Sequence, residues 1–176
     1  MVDLGGARVR RGVALVLAAA LAAAPATGAG ADRTALLTAG FLSKFPLFIQ
    51  WPPGAEGGAF CLLGARDLAP VLEEVLAHRG EDTPGPAPRV VAGPEDLDPC
   101  RVVYLGAAGR LPDLLKRLGE RPVLVVTRDP GAAARGAHIN LYREGSRMGF
   151  EVNVDALERS GLKASFRLLE LARVVP

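Results

Sequence analysis

The sequence predicts one α/β domain of three layers: a mostly parallel sheet, helices on both faces, and a C-terminal β-hairpin at one edge. Three observations predict it. Short, nearly continuous apolar runs alternate with helix-patterned segments over residues 60–127, which is the signature of parallel strands buried on both faces. Connections between them are short and rich in glycine and proline. Residues 139–152 form two runs joined by Glu144-Gly145-Ser146, a three-residue loop with a glycine that signals a hairpin.

The first 31 residues read differently. Arg8, Arg10 and Arg11 precede an uninterrupted apolar run, Val13 to Ala24. That run is too short for a membrane-spanning helix, which needs about 20 apolar residues, and has the length of a signal-peptide core. Two small-residue cleavage sites follow, Ala24-Pro25-Ala26 and Ala29-Gly30-Ala31. The second is preferred because it leaves Asp32 at the new terminus and keeps Pro25 from the cut. The expected division is a signal peptide at 1–31 and a domain at 32–176, exported to the periplasm. The leader carries three of the 21 basic residues and, in Asp3, one of the 19 acidic ones, so 18 of each remain. A balanced chain without clustered Lys and Arg does not suggest a nucleic-acid surface.

Two cysteines, Cys61 and Cys100, fall in the exported part. In an oxidising compartment an even count suggests a disulfide; two unrelated buried thiols are the alternative.

Along the domain, Leu37, Phe41, Phe45 and Phe48 recur at helical spacing within 34–51, with Pro46 expected to kink or break the helix. Residues 60–64 read as a strand and 67–78 as a helix. A surface loop over 79–88 leads to a short strand at 89–92. A second buried strand is expected at 102–105, a helix through Leu111, Leu114, Leu115 and Leu118, and the strongest strand at 123–127. After the hairpin, Asn153 and Ser165 are plausible N-caps of two short helices, the last carrying Leu168, Leu169 and Leu171.

Chemistry-bearing motifs are scarce. His78 ends a helix beside a polar loop and reads as a surface residue. His138 precedes a strand, with too few neighbours of ligand type for a metal site. No nucleophile elbow, zinc-protease helix or dinucleotide fingerprint occurs, so no catalytic residue, metal or cofactor is expected. Ligands of open parallel sheets bind beyond the carboxyl ends of the strands. Three predicted strands end there in arginine-bearing loops, and Arg66, Arg110 and Arg128 are candidates to converge on a small anion. The opposing reading makes them ordinary surface charges. Phe45, Phe48 and Trp51 are candidates for contact with a protein partner, Trp51 above all, because tryptophan is enriched at binding hot spots. The aromatic stripe also fits a core-facing helix.

Several segments together resemble the YfiR family of periplasmic regulators. They are the aromatic helix Phe41 to Pro52, the strand Phe60-Cys61-Leu62-Leu63-Gly64, and Cys100-Arg101-Val102-Val103-Tyr104. Pro122 to Thr127 and Ile139-Asn140-Leu141 follow, then Gly149-Phe150-Glu151-Val152-Asn153, Ser160 to Ser165, and Leu168 to Val175. The likeness covers nearly all of the exported chain. It implies a non-catalytic protein that restrains an inner-membrane signalling protein, a diguanylate cyclase or a sensor kinase, by contacting its periplasmic part. A structural disulfide matching Cys61 and Cys100 is implied as well. A second copy of the chain and a small anionic ligand are further open partners. A periplasmic receptor for such an anion is the alternative function. Two departures stand out: Pro46 replaces a helix former, and the later cysteine pair of some members is missing.

Overall fold

A computed structural model describes residues 28–55, 57–78, 87–106 and 109–176. The expected leader therefore lies outside the described residues, except that the backbone of the first helix begins at Gly28. No helix among the described residues is long and apolar enough to cross a membrane.

Helix α1 (Gly28–Lys44) stops at the residue before Phe45, and a 3-10 turn at Phe45–Phe48 takes its place. Pro46 is the reason, since it cannot donate the helical hydrogen bond its position requires. Of the kink or break expected at Pro46, the structure shows a break. The segment leaves as strand β1 (Ile49–Gln50). Strand β2 (Ala59–Leu63) leads through a 3-10 turn into helix α2 (Ala69–Ala77). Strands β3 (Arg89–Val91) and β4 (Cys100–Leu105) follow, then helix α3 (Leu111–Leu118) and strand β5 (Leu124–Thr127).

Strands β6 (Ile139–Glu144) and β7 (Arg147–Asn153) form the hairpin, in the register Leu141 to Phe150. Helix α4 (Val154–Arg159) starts at Asn153, whose side-chain oxygen accepts the Ala156 amide at 2.7 Å. Strand β8 (Lys163–Ala164) pairs antiparallel with β1, a small sheet that periodicity did not reveal. Helix α5 (Phe166–Leu169) is capped by Ser165, as expected, but lasts only four residues. Leu171 lies beyond it, and the chain ends as strand β9 (Arg173–Val175).

The main sheet has the order β3-β2-β4-β5-β6-β7-β9. The five strands from β3 to β6 run parallel, and β7 turns antiparallel to β6. Strand β9 runs parallel to β7 and covers its outer edge, satisfying backbone groups that would otherwise be unpaired. Helices α1, α2 and α4 bury Leu42, Leu72 and Leu157 on one face, against Leu62, Val126, Leu141 and Val152. Helix α3 buries Leu111, Leu114 and Leu118 on the other, against Leu63, Val103 and Val125. This is the three-layer domain the sequence predicted.

Candidate functional site

The Cys61–Cys100 disulfide ties β2 to the start of β4, with Cα atoms 5.7 Å apart. Both cysteines belong to the core under α3, so the bridge braces two central strands.

Where α1 meets the end of the chain, apolar surface remains uncovered. Leu36, Leu37, Phe41, Phe48, Leu168 and Leu171 line a groove of about 400 Å³. Leu36 is 56% exposed and Leu171 77%, and Phe166 on α5 is 74% exposed. Of the expected partner-binding aromatics, Phe48 lines this groove half-buried. Phe45 also lines it but is 2% exposed, its ring 5.6 Å from Phe41 and 5.3 Å from Phe150. Both rings hold it in the core, so it offers a partner almost no area. Trp51 is half-buried away from the groove. Its indole N–H donates to the Pro46 carbonyl at 3.3 Å, and the Arg101 guanidinium lies 4.0 Å from the ring centre.

A second, polar depression opens beyond the carboxyl ends of the parallel strands. It consists of two adjoining cavities of about 490 and 450 Å³ that share Thr34, Arg128 and Arg143. The expected trio of arginines does not assemble. Only Arg128 lines the depression; Arg66 is exposed and is not among the lining residues, and Arg110 donates to the Ala92 carbonyl at 3.3 Å. The reason is topological: Arg110 leans toward the loop after β3, while the strands on the other side of β5 supply Arg143 and Arg173. Tyr104 lines the smaller part, and burial pushes its hydroxyl pKa up while Arg128 pulls against that shift. Asn140, Tyr142, Arg143 and Arg173 escaped the sequence reading. For Asn140 and Tyr142 the signal was the alternation in β6, where they interleave with Ile139 and Leu141; Arg143 follows on the Leu141 side and Arg173 lies on β9, so that pattern marked neither.

The molecule also holds a serine–histidine pair. Nε2 of His138 lies 3.0 Å from the Ser160 hydroxyl, both side chains buried. The Val125 amide donates to Nδ1 at 3.0 Å, so Nδ1 is the unprotonated nitrogen and Nε2 carries the proton. Nε2 thus donates to Ser160 and cannot accept its proton, the reverse of what a nucleophile's base must do. His78 is exposed, its Nδ1 2.7 Å from the Glu74 carbonyl.

The profile of the YfiR/HmsC-like family matches residues 35–173. The chain belongs to this family. The match runs from α1 to β9 and takes in both the groove and the polar depression. A crystal structure of a conserved domain protein from Vibrio cholerae is similar in fold, with a TM-score of 0.55 at 10% identity. The alignment covers 81% of this chain and 60% of that one, so this chain spans less than two thirds of that protein's length. The YfiR/HmsC-like family is one of regulatory proteins of the periplasm.

Proposed function

We propose that this family member is a non-catalytic periplasmic regulator that binds and restrains a membrane signalling protein, a diguanylate cyclase, and so limits cyclic-di-GMP and biofilm formation. The observation that carries the reading is the apolar groove beside α1. Exposed Leu36, Leu37 and Leu171 line it together with Phe48, and contiguous exposed apolar area of this kind marks interaction sites. Its walls come from both ends of the matched region, α1 and the turn before β9, so it depends on the folded domain. Trp51, held by Arg101 and Pro46, is a second contact candidate.

Deleting the gene is expected to raise cyclic-di-GMP, seen as more biofilm and less swimming. Replacing Leu36 and Leu171 together by serine is expected to reproduce the deletion while leaving the melting temperature near wild type, because both side chains are already exposed. Unchanged second-messenger levels in the deletion strain, with a neighbouring sensor kinase altered instead, would move the protein to another signalling branch. A double variant that still represses would remove the groove from the contact.

A further inference from the structure

The alternation in the hairpin gives the outer half of the sheet two unlike faces. Ile139, Leu141, Phe150 and Val152 point into the core. Their neighbours Asn140, Tyr142, Gly149 and Glu151 share the other face, with Arg173 of β9 beside Glu151. A Cβ on Gly149 would lie 2.6 Å from the Tyr142 ring, so glycine lets that ring lie flat across β7. The Arg173 guanidinium stands 4.6 Å from the same ring.

Asn140 is 2% exposed and lines the larger cavity. Its amide nitrogen donates to Oε2 of Glu151 at 3.0 Å. A carboxylate only accepts, so this bond settles which end of the amide is which. The other end, Oδ1, is buried and has no hydrogen-bond partner among the described residues. A buried acceptor left unmade is costly, and this one calls for a donor.

The charges around it differ in how far they are satisfied. Glu151 is already engaged, by Asn140 on one oxygen and by Arg173 at 3.7 Å on the other. Arg143 donates only to the Gly145 carbonyl, at 3.4 Å, and Arg128 has no ion pair among the described residues. Neither Arg128 nor Arg143 is ion-paired among the described residues, and the one carboxylate lining the larger cavity, Glu151, is already paired with Arg173. The two cations favour an anion and disfavour an ammonium beside them, so the donor for Asn140 is best neutral: a hydroxyl.

We propose that this cleft binds a small hydroxylated carboxylate, its anionic end held by Arg128 and Arg143 and one hydroxyl donating to Oδ1 of Asn140, a contact for which the lining must give way because Oδ1 is shielded from solvent. A volume of about 490 Å³ lies within the usual range for small-molecule pockets. The inference rests on the cleft's chemistry alone and stands or falls apart from the regulatory reading.

Calorimetric titration of the exported, disulfide-bonded protein with D-gluconate, hexanoate and sorbitol tests it. Gluconate is expected to bind saturably, with hexanoate and sorbitol, which lack its hydroxyls and its carboxylate respectively, binding at least about tenfold more weakly. Arg128→Gln and Arg143→Gln, both at exposed positions, are each expected to weaken gluconate by about tenfold, the scale of a lost charge-assisted hydrogen bond. Asn140→Leu, checked for folding by its melt, should bring gluconate down to the level of hexanoate. Arg66→Gln, outside the cleft, should leave binding unchanged. Hexanoate binding as tightly as gluconate, an α-amino acid binding in preference to it, unaltered affinity in Arg128→Gln, or no saturable gluconate binding at millimolar concentration would each overturn the proposal.

Discussion

The Val125 amide donates to Nδ1 of His138 across 3.0 Å of the core, and this bond fixes the imidazole in the tautomer protonated at Nε2. Burial lowers the His138 pKa from 6.5 to about 4, with nearby Arg159 adding to the shift and backbone carbonyls opposing it.

Between those two values the unfolded chain binds the proton that the folded one refuses. The histidine therefore contributes full stability above about pH 6.5 and loses it as the pH falls toward 4, up to about 3 kcal/mol. Melting curves from pH 7 to 4 should show the loss. His138→Gln is expected to be less stable at pH 7 and to give a flatter profile over that window. A variant profile parallel to wild type would mean that other groups carry the pH dependence.

Asn153 serves two elements at once. Its oxygen caps α4 at Ala156, and its amide nitrogen donates at 2.8 Å to the buried carbonyl of Ala133. Asn153→Ala removes a cap and orphans that carbonyl, at a cost of about 2 to 4 kcal/mol. Asn153→Asp retains the cap but sets an anionic oxygen against the Ala133 and Pro176 oxygens that the amide nitrogen now bridges, so its denaturation midpoint should also fall well below wild type although the cap survives.

The Cys61–Cys100 bridge closes a loop of 39 residues in sequence separation. Replacing both cysteines by serine is expected to destabilise the domain by about 4 kcal/mol, less where the unfolded chain keeps structure. Non-reducing peptide mapping of protein from the periplasm should find the two peptides linked, and free thiols in well-folded protein would contradict the pairing.

Trp51 is half-buried, held by one hydrogen bond and one guanidinium. Trp51→Ala should cost less than the roughly 3 to 5 kcal/mol of a fully buried tryptophan, while reducing partner capture. A melt far below wild type, with capture by the folded fraction intact, would make Trp51 a purely structural residue.

Much of the fold was legible in the chain because local patterns encode it. Apolar runs located β2, β4 and β5, the glycine loop located the β6–β7 hairpin, and Asn153 and Ser165 announced their helices by capping chemistry. Pro46 announced the end of α1 through its missing N–H. Sequence periodicity says which side of an element is apolar; it does not say how much of that side another element will cover. Tertiary packing decided that Phe45 is sealed by Phe41 and Phe150 while Leu36 and Leu171 stay open. It also decided that three residues after α5 become β9, because β7 had an edge to fill. The arginines that meet at the cleft were decided the same way. Arg128 and Arg143 lie in different segments, and only the order of strands around β5 and β6 brings them to one cavity, away from Arg66 and Arg110.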